Sequence, residues 1–333
     1  MIRDAIHRVV TGRGPGPVAV PYDMFDLEQT AREANAAKKL ENIYHKGQDK
    51  QWNGKEVLNM LLEKHGGIQL APEKFAPLRR LLAVIFWGEL AAWKVSARLA
   101  LEISPLEAKM AATSQAHDEA RHFYVLHDYL ELLGYTPDEL PPAARNILTT
   151  ILSTDSLAKQ LVGMQLMVEP IALTLFQMLR EAEFEPVLAD LMPYYERDEA
   201  RHIGLGINYL PHMFKDMGRR ETLDLWAFQF KMVHHEVQGM VDLEPDFAEL
   251  GFSPREVMRL GTAKQLRAAE LLAENLGGYL PISEAFTRIA EAQIELRFPL
   301  ENARNDRLSR MTRAAGALVI GPQEERESAQ LAA

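Results

Sequence analysis

The spacing of apolar residues along the chain is that of α-helices throughout. Apolar side chains recur three and four positions apart, whereas no convincing run alternates apolar and polar positions as a half-buried strand would. The pattern therefore predicts an all-α protein with almost no sheet.

Four long helices are predicted in the middle of the chain, with proline and glycine at their ends. They lie at about 72–103, 105–134, 154–185 and 186–214, with a long connection between the second and the third. The segments 104–107 and 253–256 each combine a serine cap, a proline and a glutamate, which is typical of a helix start with a capping box. Pro170 is expected to kink the third helix.

Shorter helices are predicted on both sides of this region, at about 26–46 and 53–64 and then at 221–241, 254–275 and 283–297. We therefore divide the chain into an N-terminal arm with accessory helices (1–70), a four-helix bundle (71–217), C-terminal accessory helices packed on the bundle (218–313) and a polar tail that we expect to be mobile (314–333).

The pentapeptide Asp-Glu-Ala-Arg-His occurs twice, at 118–122 and 198–202, and one further glutamate lies 30 residues before the glutamate of each copy. A single shift of 80 residues maps one set onto the other, which we interpret as structural pseudo-symmetry. Glutamate and histidine three positions apart share a helix face. Four carboxylates and two imidazoles at these spacings form the ligand set of a carboxylate-bridged two-metal centre in a four-helix bundle. The predicted ligands are Glu89, Glu119, His122, Glu169, Glu199 and His202.

The surroundings of Glu89 and Glu169 strengthen this prediction. Both lie on apolar stripes, where an unpaired carboxylate would be costly and two cations would remove the cost. Oxygen donors with one nitrogen for each metal favour iron or manganese over copper or structural zinc.

Composition and charge narrow the possible functions. The chain has 333 residues, 47% hydrophobic and 25% charged, which is ordinary for a globular protein. The absence of cysteine excludes disulfides and thiolate-bound metals, and the net charge of −10 argues against a nucleic-acid partner. The N-terminus does not have the pattern of a secretory signal, and no apolar run reaches the length of a membrane span, so we expect a cytoplasmic protein.

The pattern Glu-x29-Asp-Glu-Ala-Arg-His, present twice, resembles the ferritin-like di-iron carboxylate superfamily over about residues 75–215. Its members include hydroxylase subunits of bacterial multicomponent monooxygenases, ribonucleotide reductase small subunits, acyl-carrier-protein desaturases and arylamine N-oxygenases. The motif is most similar to that of the monooxygenase hydroxylases. The resemblance implies a ferritin-like four-helix bundle with additional N- and C-terminal helices, two iron ions or a manganese–iron pair, and dioxygen as co-substrate.

The resemblance also implies roles for residues beside the ligands. Asp118 and Asp198 would each accept a hydrogen bond from the histidine of the opposite motif, and Arg121 and Arg201 would pair with these aspartates. Surface ion pairs on the helices are the alternative. The expected wall of an apolar substrate pocket consists of Phe86, Trp93, Phe123, Leu173, Phe176, Tyr195 and Gly206.

Three positions depart from the known members. Leu126 stands where the reductase subunits have their radical tyrosine, and Leu173 stands where the hydroxylases have a threonine. Tyr195 replaces the additional histidine ligand of the N-oxygenases. The resemblance therefore indicates no single member.

The expected function is that of a dioxygen-activating oxidase or monooxygenase acting on a hydrophobic organic substrate. Hydroxylation, desaturation and N-oxygenation stay open. The sequence contains no Gly-x-Gly-x-x-Gly fingerprint, so an external electron donor, a ferredoxin or a reductase, is expected. A homodimer is the expected assembly. The alternatives are a ferroxidase or other iron-handling protein, and a structural protein stabilised by metal.

Overall fold

A computed structural model of the protein describes residues 38–276, 281–300 and 303–320. This part of the chain forms twelve helices and contains no strand, which confirms the all-α prediction. In chain order the helices are α1 (Lys38–Asp49), α2 (Gly54–His65), α3 (Phe75–Glu102), α4 (Leu106–Leu132), α5 (Pro142–Leu152), α6 (Leu157–Ala182), α7 (Pro186–Phe214), α8 (Arg219–Asp242), α9 (Glu244–Leu250), α10 (Pro254–Asn275), α11 (Pro281–Arg297) and α12 (Arg307–Ile320).

The four long helices α3, α4, α6 and α7 form the bundle, and α3 packs along α4 as α6 packs along α7. Their ends lie within three residues of the predicted ends. The capping prediction holds for α10, where the Ser253 side chain accepts from the backbone N–H of Glu256 at 3.4 Å. It is wrong for α4, which begins at Leu106 with Pro105 at the capping position and no side-chain cap.

The apolar core of the bundle is divided into two clusters by a polar layer. One cluster contains Phe86, Leu126 and Leu175, and the other contains Ala91, Met167 and other apolar residues beyond the layer. Each bundle helix crosses from one cluster to the other, and the six predicted ligands lie at the crossing points. Two apolar cores therefore enclose a layer of ionisable groups.

Helix α6 contains seven residues of π-helix, Val162–Val168, directly before Glu169. The backbone N–H of Glu169 donates to Met164 O, five residues back, and Pro170 has no N–H to donate. π-helical segments in α-helices are frequently found at functional sites. The expected perturbation at Pro170 is therefore a change of helix winding next to a predicted ligand.

Three helices were missed or misplaced by the sequence analysis. The connection after the second bundle helix contains α5, which starts at two prolines, and α9 follows α8 after a single residue. The predicted mobile tail at 314–333 starts too early, because α12 continues to Ile320 with Ala314 and Ala317 buried and Arg313 bonded to Glu295 at 2.6 Å. The predicted helical residues 26–37 and the tail residues 321–333 lie outside the described residues.

One helix among the described residues, α6, is long and apolar enough to cross a membrane by length and composition. In the fold, 67% of the relevant window is buried inside the protein, and α6 carries Glu169 into the polar layer. A core helix of a helical bundle meets the same criterion, so this finding is weak evidence for a membrane span.

Candidate metal centre

All six predicted ligands lie together in the polar layer of the bundle. Glu89 comes from α3, Glu119 and His122 from α4, Glu169 from α6, and Glu199 and His202 from α7. None of the six is more than 5% exposed. The three-residue spacing within α4 and α7 turns glutamate and histidine to the same side of each helix, which is why all six meet.

The six residues form two overlapping groups of four, and in each group the candidate ligand atoms lie within 4.8 Å of one another. Glu89 and His122 belong to one group, Glu169 and His202 to the other, and both groups share two glutamates, Glu119 and Glu199.

The two shared carboxylates each direct one oxygen towards each histidine. Glu119 Oε1 lies 3.0 Å from His202 Nδ1, and its Oε2 lies 3.7 Å from His122 Nδ1. Glu199 Oε2 lies 3.2 Å from His202 Nδ1, and its Oε1 lies 3.3 Å from His122 Nδ1. This is the arrangement that two bridging carboxylates between two neighbouring ions would need.

Each histidine directs its second ring nitrogen at the aspartate of the opposite motif. His122 Nε2 lies 3.1 Å from Asp198 Oδ2, and His202 Nε2 lies 3.4 Å from Asp118 Oδ2. A carboxylate accepts a hydrogen bond from an Nε2–H group. The contact therefore favours the tautomer in which Nδ1 carries no proton and its lone pair faces the six predicted ligands, which we call the glutamate–histidine cluster. The two aspartates are therefore placed to orient the rings.

Two arginines cross-link these aspartates. Arg121 Nη2 donates to Asp118 Oδ1 at 2.5 Å and to Asp198 Oδ2 at 2.8 Å. Arg201 Nη2 donates to Asp118 Oδ2 at 2.8 Å and lies 2.9 Å from Asp198 Oδ1. Trp52 Nε1 donates to the same Asp198 Oδ2 at 2.7 Å, and its ring lies beneath the Arg121 guanidinium. Two aspartates and two arginines balance in charge.

An amide on the other side of the cluster contacts two glutamates. Gln115 Nε2 donates to Glu169 Oε1 at 2.7 Å and to Glu119 Oε1 at 3.1 Å. Gln165, from the π-helical segment, donates to Gln115 Oε1 at 3.3 Å. This pair of amides fixes the position of the Glu169 carboxylate.

Burial and the charges of neighbouring residues shift the pKa values of the cluster residues, and the direction differs from residue to residue. Burial, reinforced by neighbouring glutamates, raises the pKa of Glu89 and Glu169 well above the ordinary value. Burial also opposes ionisation of Glu119, but the two histidines outweigh it and lower its pKa. Burial disfavours the charged histidines, yet the surrounding carboxylates raise the pKa of both His122 and His202.

The donor set fits two divalent cations. Four glutamates with neutral histidines carry four negative charges, which two divalent ions would balance inside the low-dielectric layer. Two buried oxygens, Glu119 Oε2 and Glu169 Oε2, have no hydrogen-bond partner. Buried polar atoms are normally satisfied, so these oxygens are available to bind the ions.

The fold is similar to that of known oxidases. One solved structure is described as protein 19 with aldehyde deformylating oxidase activity from Synechococcus, with a TM-score of 0.52 and 18% identity, covering 61% of this chain and 92% of that chain. Another is an R2-like ligand-binding oxidase with aerobically reconstituted Mn/Fe cofactor, with a TM-score of 0.49 and 17% identity, covering 84% and 97%. No protein-family model and no curated protein sequence matches the chain.

The chain has the ferritin-like helical fold. A cavity of ≈110 Å³ lies next to the polar layer, between this ferritin-like bundle and helices α5 and α8. All four cluster glutamates are in its wall, and neither histidine is. The rest of the wall is mostly apolar and comes from α3, α5, α6 and α8, including Val84, Ile147, Met164, Ile171 and Met240.

None of the seven residues predicted to form the pocket wall lines this cavity, and their role in a substrate pocket stays a prediction. Phe86, Phe176 and Tyr195 are buried in the core, Phe123 and Leu173 are half-buried, Trp93 is 38% exposed, and the Gly206 backbone packs against Gln165. The prediction placed the pocket among residues near the ligands in sequence. The cavity instead lies on the carboxylate side, where α5 and α8 cover the bundle.

Sequence reasoning missed three residues that contact the cluster or its supporting network. Gln115 had a usable signal, because it precedes Glu119 by four residues and so shares its helix face. Trp52 and Gln165 had none, because their contacts join segments that are far apart in sequence. Tyr195 serves in the packing of the site: its hydroxyl donates to His122 O at 2.7 Å and its ring stacks on the His122 ring.

Proposed function

We propose that this chain is an oxidoreductase that holds two iron ions, or a manganese–iron pair, in the glutamate–histidine cluster and uses dioxygen to oxidise a small apolar organic molecule. The main support is the shared wall of cluster and cavity. All four glutamates border an apolar cavity, while both histidines face the aspartate–arginine network. A substrate in this cavity would meet the cluster on its carboxylate side.

The protein's contribution is to hold and orient the ligands. His122 and His202 would bind through Nδ1, because Asp198 and Asp118 occupy Nε2. Glu119 and Glu199 would bridge the ions, and Glu89 and Glu169 would each bind one. A reduced two-metal centre of this kind supplies electrons and coordination positions for dioxygen.

The cavity determines which molecules reach the cluster. Its mostly apolar wall favours an apolar substrate. The fold similarity to a protein with aldehyde deformylating oxidase activity is compatible with an oxidase role. Hydroxylation, desaturation and N-oxygenation all suit this arrangement. The proposal includes an external electron donor and a cytoplasmic homodimer, both of which were expected from the sequence.

Metal analysis and oxygen uptake test the proposal. The purified protein is expected to contain two transition-metal ions per chain by plasma mass spectrometry, and the Glu119→Ala variant is expected to lose them. After anaerobic reduction, admission of air should produce rapid oxygen consumption that small apolar molecules accelerate. Glu107→Gln is the control, because Glu107 is a buried glutamate outside the cluster and the cavity wall.

Three outcomes would contradict the proposal. Retention of both ions by Glu119→Ala would disprove the ligand assignment. Uptake of many irons per chain would indicate a ferroxidase or storage protein. Two bound ions that do not react with dioxygen would indicate a structural protein stabilised by metal.

A further inference from the structure

A fifth glutamate lies in the wall of the cavity, away from the predicted ligands. Glu236 comes from α8, which is outside the four-helix bundle, and its side chain is 3% exposed. It lines the same cavity as the four cluster glutamates, between apolar residues such as Ile147 and Met240. The cavity therefore has one ionisable group on the side formed by the accessory helices.

Glu236 is only half satisfied by hydrogen bonds. Gln265 Nε2 from α10 donates to Glu236 Oε1 at 3.1 Å, and the same amide nitrogen donates to Met167 O at 2.8 Å. Within the described parts of the chain, Gln265 is the hydrogen-bond partner of Glu236, and Oε2 has none. Gln265 is held by two acceptors and so keeps the carboxylate in a fixed position.

No charged group in the described part of the chain compensates Glu236 for its burial. Burial in the apolar wall raises the pKa of the carboxyl group to about 7, and the hydrogen bond from Gln265 offsets only part of this effect. No charged side chain of the described residues contributes to the shift. A carboxylate with a free oxygen in an apolar cavity is best stabilised by a hydrogen-bond donor that carries positive charge.

We propose that Glu236 anchors the substrate in this cavity by binding the amino or ammonium group of a small apolar amine through Oε2. The apolar part of the amine would occupy the remaining space, which the four cluster glutamates border on the other side. This role rests on the proposed function, because it takes the cavity to be the substrate site. The ≈110 Å³ volume is of the same order as the about 150 Å³ of an engineered cavity that holds benzene, so the amine is expected to be small.

Calorimetric titration of the metal-loaded protein under anaerobic conditions tests this role without turnover. The probes are n-butylamine and 1-butanol, which have similar size but differ in head group. Butylamine is expected to bind the wild type about tenfold more tightly than butanol, and Glu236→Gln is expected to remove that preference by loss of a charge-assisted hydrogen bond. Glu107→Gln serves as the matched control and should bind both probes as the wild type does.

Two results would overturn the role of Glu236. One is equal affinity of the wild type for amine and alcohol. The other is undiminished amine binding by Glu236→Gln, which would mean that the amine binds elsewhere, for example directly to a metal ion. If Glu236→Gln does not fold, infrared difference spectra of the wild type decide: butylamine, but not butanol, should abolish the band of a protonated buried carboxyl group, and an unchanged band refutes the assignment.

The oxidase function and the anchoring role of Glu236 would be refuted by different results. Oxygen consumption by a protein that does not bind butylamine would refute the anchoring role and leave the oxidase function in place. Amine binding that depends on Glu236, in a protein that does not consume oxygen, would support the anchor and refute the oxidase function.

Discussion

Replacing Glu236 by glutamine is expected to change the pH dependence of stability. The pKa of this carboxyl group rises from an ordinary value of 4.5 to about 7 in the folded protein, because the group is buried in an apolar wall. The folded protein therefore holds this proton more tightly than the unfolded chain does. Its contribution to stability is fully present below pH 4.5 and is lost as the pH rises through 7.

The size of the expected change in stability follows from the shift in the pKa of Glu236. A change of about 2.5 pKa units corresponds to about 3 kcal/mol between the two limits, at about 1.4 kcal/mol for each unit. Roughly 2–3 kcal/mol of this falls between pH 5 and pH 8, since part is already lost at pH 5. Glutamine is nearly isosteric and does not titrate, so Glu236→Gln should gain this amount relative to the wild type across that range.

Urea denaturation at several pH values, with the same metal content in both proteins, measures this difference. The other titrating groups are common to both proteins and cancel. Circular dichroism and tryptophan fluorescence should give coincident transitions, which the comparison requires. Met240→Leu, which alters the same cavity without a titrating group, should differ from the wild type by a constant amount. A constant difference for Glu236→Gln would refute the raised pKa.

Three further predictions concern the cluster and its packing. Glu119→Ala should lose both ions rather than one on desalting, since Glu119 belongs to both groups of ligands, and metal analysis would show this. Asp118→Asn and Asp198→Asn should each weaken metal binding by about 10- to 100-fold in a chelator competition, through loss of histidine orientation. Gly206→Ala should destabilise by about 1–3 kcal/mol in denaturation experiments, because its Cβ would lie 2.8 Å from a neighbouring side chain, whereas Gly88→Ala, with open space, should have a much smaller effect.

The four bundle helices could be predicted because the signals that define them lie close together in the sequence. Proline and glycine mark the ends of the helices. The three-residue spacing of Glu119 and His122 places both side chains on one helix face, whatever the tertiary structure. The 80-residue offset then implies that a second helix presents the same pair. The helices that were missed, α5 and α9, are short and start at or next to proline, where a connection and a helix start look alike in sequence.

The cavity could not be predicted in the same way. Helical periodicity shows which face of a helix is buried, but it does not show which helix covers that face. Phe86 and Phe176 were expected in the wall of the substrate pocket, yet they are buried in the apolar core and do not line the cavity. Glu236 had no sequence signal at all, because its significance depends on α8 lying over the carboxylate side of the cluster.

The pseudo-symmetry of the two motifs covers the ligands and the aspartate–arginine network but not the residues around them. The 80-residue shift pairs Gln115 with Tyr195, but Gln115 donates to Glu119 and Glu169, while Tyr195 donates to the backbone of His122. The π-helical segment likewise precedes Glu169, whereas Glu89 lies within a regular helix. The group that contains Glu169 is thus held by an amide and follows an altered helix segment, whereas the group that contains Glu89 is not. Ions in the two groups would experience different fields and different ligand freedom, so we expect them to bind with unequal affinity although their ligands are chemically the same.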